Sequence, residues 1–257
     1  DPTEITNRLG WMDSPATMPA HLSEITTVVE AIRRAGYTHA LLLGMGGSSL
    51  APEVFYLTFG ASQGYPDLSV LDTTDPDAVR TQTERLDPAR TLFLPATKSG
   101  GTVETMSFLK HFYNRTIEAV GTDKAGEHFV AITDPGSGLA DLARKLKFRH
   151  TFLNDPNIGG RYSALSHFGL VPAVLIGMDV ELLLQRGRDM AERCTQTQAN
   201  DRSLLGAAMG AGALAGRDKL TLVTSPSISA FGAWAEQLIA ESTGKEGRGI
   251  LPVDGET

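Results

Sequence analysis

The chain has 257 residues, 23 basic and 30 acidic, for a formal charge of −7, and 41% of its residues are hydrophobic. That apolar share is ample for a globular core and excludes whole-chain disorder, while the scatter of Lys and Arg among acids excludes a duplex nucleic-acid surface and leaves phosphate to local sites. No apolar run approaches the roughly 20 residues that span a bilayer, and the start of the chain lacks a basic segment followed by an apolar one, so the sequence predicts a soluble, cytoplasmic protein.

Residues 1–20, with the Pro-broken MDSPATMP, read as a lead-in segment with a short helix. A helix is predicted over 22–35, because Ile25, Val28, Val29 and Ile32 share one face and Gly36 can close it. A pattern then repeats. THALLLG (38–44) is a buried run ending in glycine, and SLAPEVFYLTF (49–59) is helical. LSVLDT (68–73) precedes a helix over 75–86 with Pro76 in its first turn, and TLFLPA (91–96) precedes a helix from 103. HFVAIT (128–133) is followed by a helix within 134–147, and RHTFLN (149–154) closes the series.

Short buried strands alternating with helices predict an α/β fold, a doubly wound five-stranded parallel sheet over residues 21–160. Ligands of such sheets sit beyond the carboxyl ends of the strands, so the loops at 44–49 and 97–102 should line one crevice. After Gly160 the texture changes to longer helices, then one strand, KLTLVTS (219–225), and a helix over 228–242. Residues 161–257 therefore read as a helical connection and the start of a second, incomplete α/β domain, and the chain as a fragment, since one strand cannot satisfy its own edges.

The single cysteine, Cys194, lies in a polar helical stretch and reads as structurally passive. The six histidines never recur at the close spacing of a metal site, so the sequence argues for no metal.

Four loops carry candidate chemistry. GMGGSS (44–49) lies between a strand and a helix, where bare backbone and a helix N-terminus suit an anion. It can equally be a tight turn, or a near-miss to a dinucleotide fingerprint with Asp72 reaching a ribose. ATKSGGTVETMS (96–107) brings Lys98 together with the hydroxyls of Thr97, Ser99, Thr102 and Thr105, which suits a phosphate, although a helix cap needs only one such hydroxyl. In NIGGRYSALS (157–166), Arg161 either pairs with a surface carboxylate or projects into the crevice. In AEQLIAESTGKEGRG (235–249), Gln237 and Glu241 are one helical turn apart, and Glu241 is either a solvated charge or a base.

In order, GMGGSSLAPEV, TKSGGTVET, GGRYSALSHFGLVPA and QLIAESTGKEG resemble the successive signatures of the phosphoglucose isomerase family, built from two sugar-isomerase (SIS) domains. With the lead-in EITNRLGW, they look most like the isomerase portion of bacterial fusions with transaldolase; no transaldolase portion is present here. The resemblance implies that Gly47 and Ser48 contact a sugar phosphate, and that Thr97, Lys98, Ser99, Thr102 and Thr105 clamp it. It further implies that Arg161 stabilises an enediolate, and that Glu241 moves a proton between C1 and C2 with Gln237 beside it. No cofactor and no metal is implied. A ring-opening His from the neighbouring subunit of a homodimer and a late Lys, both used by the family, have no counterpart within the 257 residues. A non-catalytic phosphosugar sensor and a nicotinamide oxidoreductase are the rival expectations.

Overall fold

The structure, a computed structural model, describes residues 7–196 and 201–256. Residues 1–6 of the lead-in, the end of the helix expected beyond 196, and residue 257 lie outside them.

Five parallel strands form the main sheet: β1 (His39–Gly44), β2 (Asp67–Leu71), β3 (Thr91–Ala96), β4 (Val130–Thr133) and β5 (His150–Leu153). Their order is β2-β1-β3-β4-β5, so the chain reverses its direction of growth between β1 and β3. That reversal opens a crevice above the carboxyl ends of these two strands.

The inner strands β1, β3 and β4 are buried at successive positions because both of their faces are covered. Leu42, Leu92, Leu94, Val130 and Ile132 point to one face, and Leu41, Leu43, Phe93, Phe129 and Ala131 to the other. The main helices are α1 (Leu22–Arg34), α2 (Leu50–Phe59), α3 (Pro76–Arg85), α4 (Val103–Val120), α5 (Gly138–Lys145), α6 (His167–Leu175), α7 (Val180–Cys194), α8 (Asp201–Leu214) and α9 (Phe231–Thr243). The first face carries α1 and α6; the second carries α4 and α5, with Phe93 stacked between Phe112 and Phe129 at 5.1 Å from each. Every residue of α6 is buried, and Val180 and Leu184 of α7 join the same core. The start of the segment after Gly160 thus completes the packing of the first sheet. Cys194 ends α7 and is exposed.

The lead-in is tied to the segment around Gly160. Leu9 bridges Ile158, Gly10 N–H donates to the Asn157 carbonyl at 3.1 Å, and Trp11 stacks on Tyr162 at 5.2 Å. Further along, the expectation of a lone strand is corrected: β6 (Lys219–Thr221) pairs in parallel with β7 (Leu251–Val253). β7 is only three residues long and holds Pro252, so it leaves no periodic signal. Among the described residues, no helix is long and apolar enough to cross a membrane.

Candidate functional site

Beyond the ends of β1 and β3 lies a cleft of about 480 Å³. Its walls include Gly47, Ser48, Thr97, Lys98, Ser99 and Thr102, six of the residues singled out in the sequence. Arg8, Asp134, Pro156 and Gly160 also line it.

The first wall is a 3-10 turn, Gly46–Ser48, leading into α2. A Cβ at Gly47 would lie 2.3 Å from the Gly160 carbonyl oxygen and 2.9 Å from the Arg161 nitrogen, so only glycine lets these two backbones meet. Ser163 Oγ secures the contact, at 3.0 Å from the Gly47 carbonyl and 2.7 Å from that of Gly160. Asp72, the ribose-binding residue of the dinucleotide alternative, instead faces the Ser49 hydroxyl at 3.5 Å.

The second wall is the turn into α4. Thr102 occupies the N-cap position but makes no side-chain cap bond; its Oγ1 meets Thr97 Oγ1 at 2.7 Å. Capping is therefore not what occupies this hydroxyl, and the 18-residue helix that starts beside the cleft, with partial positive charge at its first N–H groups, has no side-chain cap bond from Thr102. Ser99 Oγ accepts from Gly101 N–H at 3.3 Å, bending the loop. Thr105 lies one turn further along α4, fully buried and absent from the cleft wall, with no hydrogen-bond partner for its Oγ1.

Lys98 is not a free cation. The β3–β4 pairing continues past the strands, through Thr97 N–H to the Ile132 carbonyl and Asp134 N–H to the Lys98 carbonyl. This register sets the Lys98 ammonium on Asp134 Oδ2, and it donates also to the Pro156 carbonyl at 2.9 Å. Burial pushes the Asp134 carboxyl above its ordinary value, and the Lys98 charge opposes that rise. Asp134 was not singled out in the sequence, although its place immediately after β4 is the same strand-end signal that marked the other loops. Arg8, which also lines the cleft, had no local signal.

Beside this cleft, α9 brings the remaining candidates together. Glu241 Oε2 lies 3.4 Å from Arg161 Nη1, and its Oε1 accepts from Gln237 Nε2 at 3.0 Å. Arg161 Nε donates to Ser242 Oγ at 3.0 Å, and its guanidinium lies over the Tyr162 ring, 4.7 Å from the centroid. Tyr162 OH shares a 2.8 Å bond with Ser242 Oγ. Burial works to raise the Tyr162 phenol, but the Ser242 bond and the Arg161 charge outweigh it and hold it below its usual value. Arg161 directly follows Gly160 in the cleft wall, which joins the two clusters through the Gly47 contact. A half-exposed carboxylate fixed by a cation and an amide, next to hydroxyls and helix N–H groups, can exchange a proton with a bound polyol while an anion anchors its far end.

The Phosphoglucose isomerase family model matches residues 14–248. Glucose-6-phosphate isomerase of Rubrobacter xylanophilus is 32% identical over 253 residues, which are 95% of this chain and 58% of that protein. Among solved structures, a hypothetical protein of Thermus thermophilus superposes with a TM-score of 0.86 at 30% identity, over 96% of this chain and 59% of the other. A glucose-6-phosphate isomerase of Chlamydia trachomatis gives 0.77 at 25% identity, over 93% and 48%. The chain spans about half the length of the relatives it matches.

Proposed function

The chain belongs to the phosphoglucose isomerase family, and from that premise we propose that it supplies phosphate-binding and proton-transfer parts of an aldose–ketose isomerase interconverting glucose 6-phosphate and fructose 6-phosphate. The observation that carries this reading is the carboxylate of Glu241 held between Arg161 and Gln237 beside a hydroxyl-lined cleft.

The roles follow from the chemistry. Glu241 takes the proton from C2 of the aldose and returns it to C1, and Arg161 offsets the charge of the enediolate formed between the two steps. Gln237 orients the carboxylate. The hydroxyls of Ser48, Thr97, Ser99 and Thr102, with the N–H groups opening α4, take the phosphate, and Gly47 lets the first loop close on Arg161. Lys98 contributes through the turn it occupies and through a charge shared with Asp134. Thr105, buried one turn further along α4 and off the cleft wall, is left out of the phosphate set. Arrangement of substrate by its remote phosphate is what turns these contacts into rate.

The same reading divides the chain into a lead-in (1–20), a first phosphosugar-binding domain (21–160), and a connection with part of a second (161–257). It also sets the work in the cytoplasm, in a homodimer of a longer chain, with fusion to a transaldolase portion as its finest detail. The test has two parts. Fructose 6-phosphate titrated into this chain should release heat that is lost with Thr97→Val and Thr102→Val together. In the longer isomerase, Glu241→Gln should lower kcat by about 10²–10⁴-fold while substrate still binds. Binding without any turnover by the unaltered longer protein would favour the sensor instead, and undiminished kcat in Glu241→Gln would remove the base from this position.

A further inference from the structure

Away from the cleft, at the first residue of the edge strand β5, the fold gathers three of the six histidines. His21 closes the 3-10 turn Met18–His21, and Glu24 lies in the first turn of α1, one helical turn further on. His167 opens α6, and His150 opens β5. Ligand atoms of His21, Glu24 and His167 all lie within 4.8 Å of one another. We propose that these three side chains bind one divalent transition-metal ion of the zinc class, with His150 as the outer partner that orients the carboxylate.

The donor set fits that ion. Two imidazoles and one carboxylate form a recurrent zinc triad, with a fourth place for water. Tetrahedral bonds of about 2.0–2.2 Å put donors about 3.4 Å apart, so atoms now up to 4.8 Å apart must close by as much as about 1.4 Å. His21 and Glu24 are exposed and can rotate to do so, while His167 is held by the core.

Two further observations point to a ligand. His167 is only 4% exposed, yet its Nδ1 is buried with no hydrogen-bond partner, and its ring meets that of His21 edge-on at 5.0 Å. A buried polar atom left unpaired costs about 1–3 kcal/mol, so such atoms tend to mark an absent partner. His150 Nε2 lies 2.9 Å from Glu24 Oε1, and the His150 ring packs on Phe152, which stacks on His167. A ligating carboxylate hydrogen-bonded in turn by an imidazole is the outer arrangement that metal sites require. Such an ion clamps the start of α1 to the start of α6. Its place at the opening residue of β5 is at the opposite end of the sheet from the phosphate cleft, so its effect is on stability rather than on the proton transfer.

The test uses the whole chain in a Cys194→Ser background, which removes the exposed thiol as a competing zinc ligand. Zinc alone is titrated calorimetrically after dialysis against chelator, and cobalt is added separately to read coordination from its visible absorption. One zinc per chain, a higher Tm with zinc, and a tetrahedral cobalt spectrum are expected. His21→Ala and Glu24→Gln, both at exposed positions that leave the core intact, should each weaken zinc binding by more than the roughly 10–100-fold that loss of an outer partner costs, and abolish the Tm gain. Failure of the parent chain to bind zinc, or equal binding by the parent and both variants, overturns the proposal. Fructose 6-phosphate binding by the same variants should be unchanged, which keeps this site separate from the isomerase reading.

Discussion

Replacing Gly47 by Ala adds one methyl where two backbones touch. The new Cβ would sit 2.3 Å from the Gly160 oxygen and 2.4 Å from its carbonyl carbon. Ordinary contact begins near 3.4 Å, so the turn Gly46–Ser48 and the segment at Gly160 must part by about 1 Å, and neither is a flexible side-chain end. Overpacking of this kind costs about 1–3 kcal/mol, and loss of the Ser163 bond to the Gly47 carbonyl adds about 1 kcal/mol. A total of about 2–4 kcal/mol lowers Tm by about 4–16 °C in a chain of this size. The same displacement moves Arg161 away from the cleft, and an error of about 1 Å in placing substrate groups is worth about 10²-fold in rate. Thermal unfolding and fructose 6-phosphate titration, run beside Gly206→Ala, measure the loss of stability and the displacement of the site, which titration reads as weaker binding. An added Cβ at Gly206, inside α8, has open space around it, so that variant should gain about 0.5–1 kcal/mol. Wild-type Tm and affinity in Gly47→Ala would refute the close-contact account of this glycine.

Two other perturbations follow from the charges. Asp134→Asn removes the carboxylate that holds Lys98, leaving an uncompensated ammonium on the cleft wall; affinity for inorganic phosphate should rise severalfold at low ionic strength, and the gain should vanish in high salt. Equal affinities at both ionic strengths would show that Lys98 does not reach the anion. Acid should weaken the fold through two buried histidines. Burial lowers His128, and burial together with the neighbouring His21 holds His167 at about 4. The unfolded chain binds the protons that the native rings refuse, so stability is complete above about pH 6.5 and falls as pH drops toward 4. For His167 alone the loss between pH 7 and pH 5 is about 2 kcal/mol. Urea midpoints taken in chelator should show it, and a midpoint that stays level or rises at pH 5 would contradict it.

Local chemistry determined much of this protein. Runs such as HALLLG and TLFLPA form strands because a parallel sheet covered on both faces demands apolar side chains at successive positions, and that demand is written residue by residue. Helix ends followed from Gly36 and Pro76, and the two strand-to-helix loops announced themselves by their glycines and hydroxyls. The family resemblance added Arg161 and Glu241, whose local patterns leave a surface ion pair and a catalytic pair indistinguishable.

Tertiary structure decided the rest, because the contacts join segments whose separation no periodicity records. Arg161 and Glu241 meet across 80 residues, because α9 packs against the segment that begins at Gly160. Lys98 would face an anion on sequence grounds alone; the β3–β4 register gives it to Asp134, 36 residues away. Thr105 shares the spacing of Thr102 but points into the core, since one further turn of α4 carries it below the cleft. β7 exists because β6 offers an open edge, not because LPV prefers to be extended. His21, His150 and His167 are scattered in the chain and converge only when α1 and α6 pack on one face of the sheet beside β5.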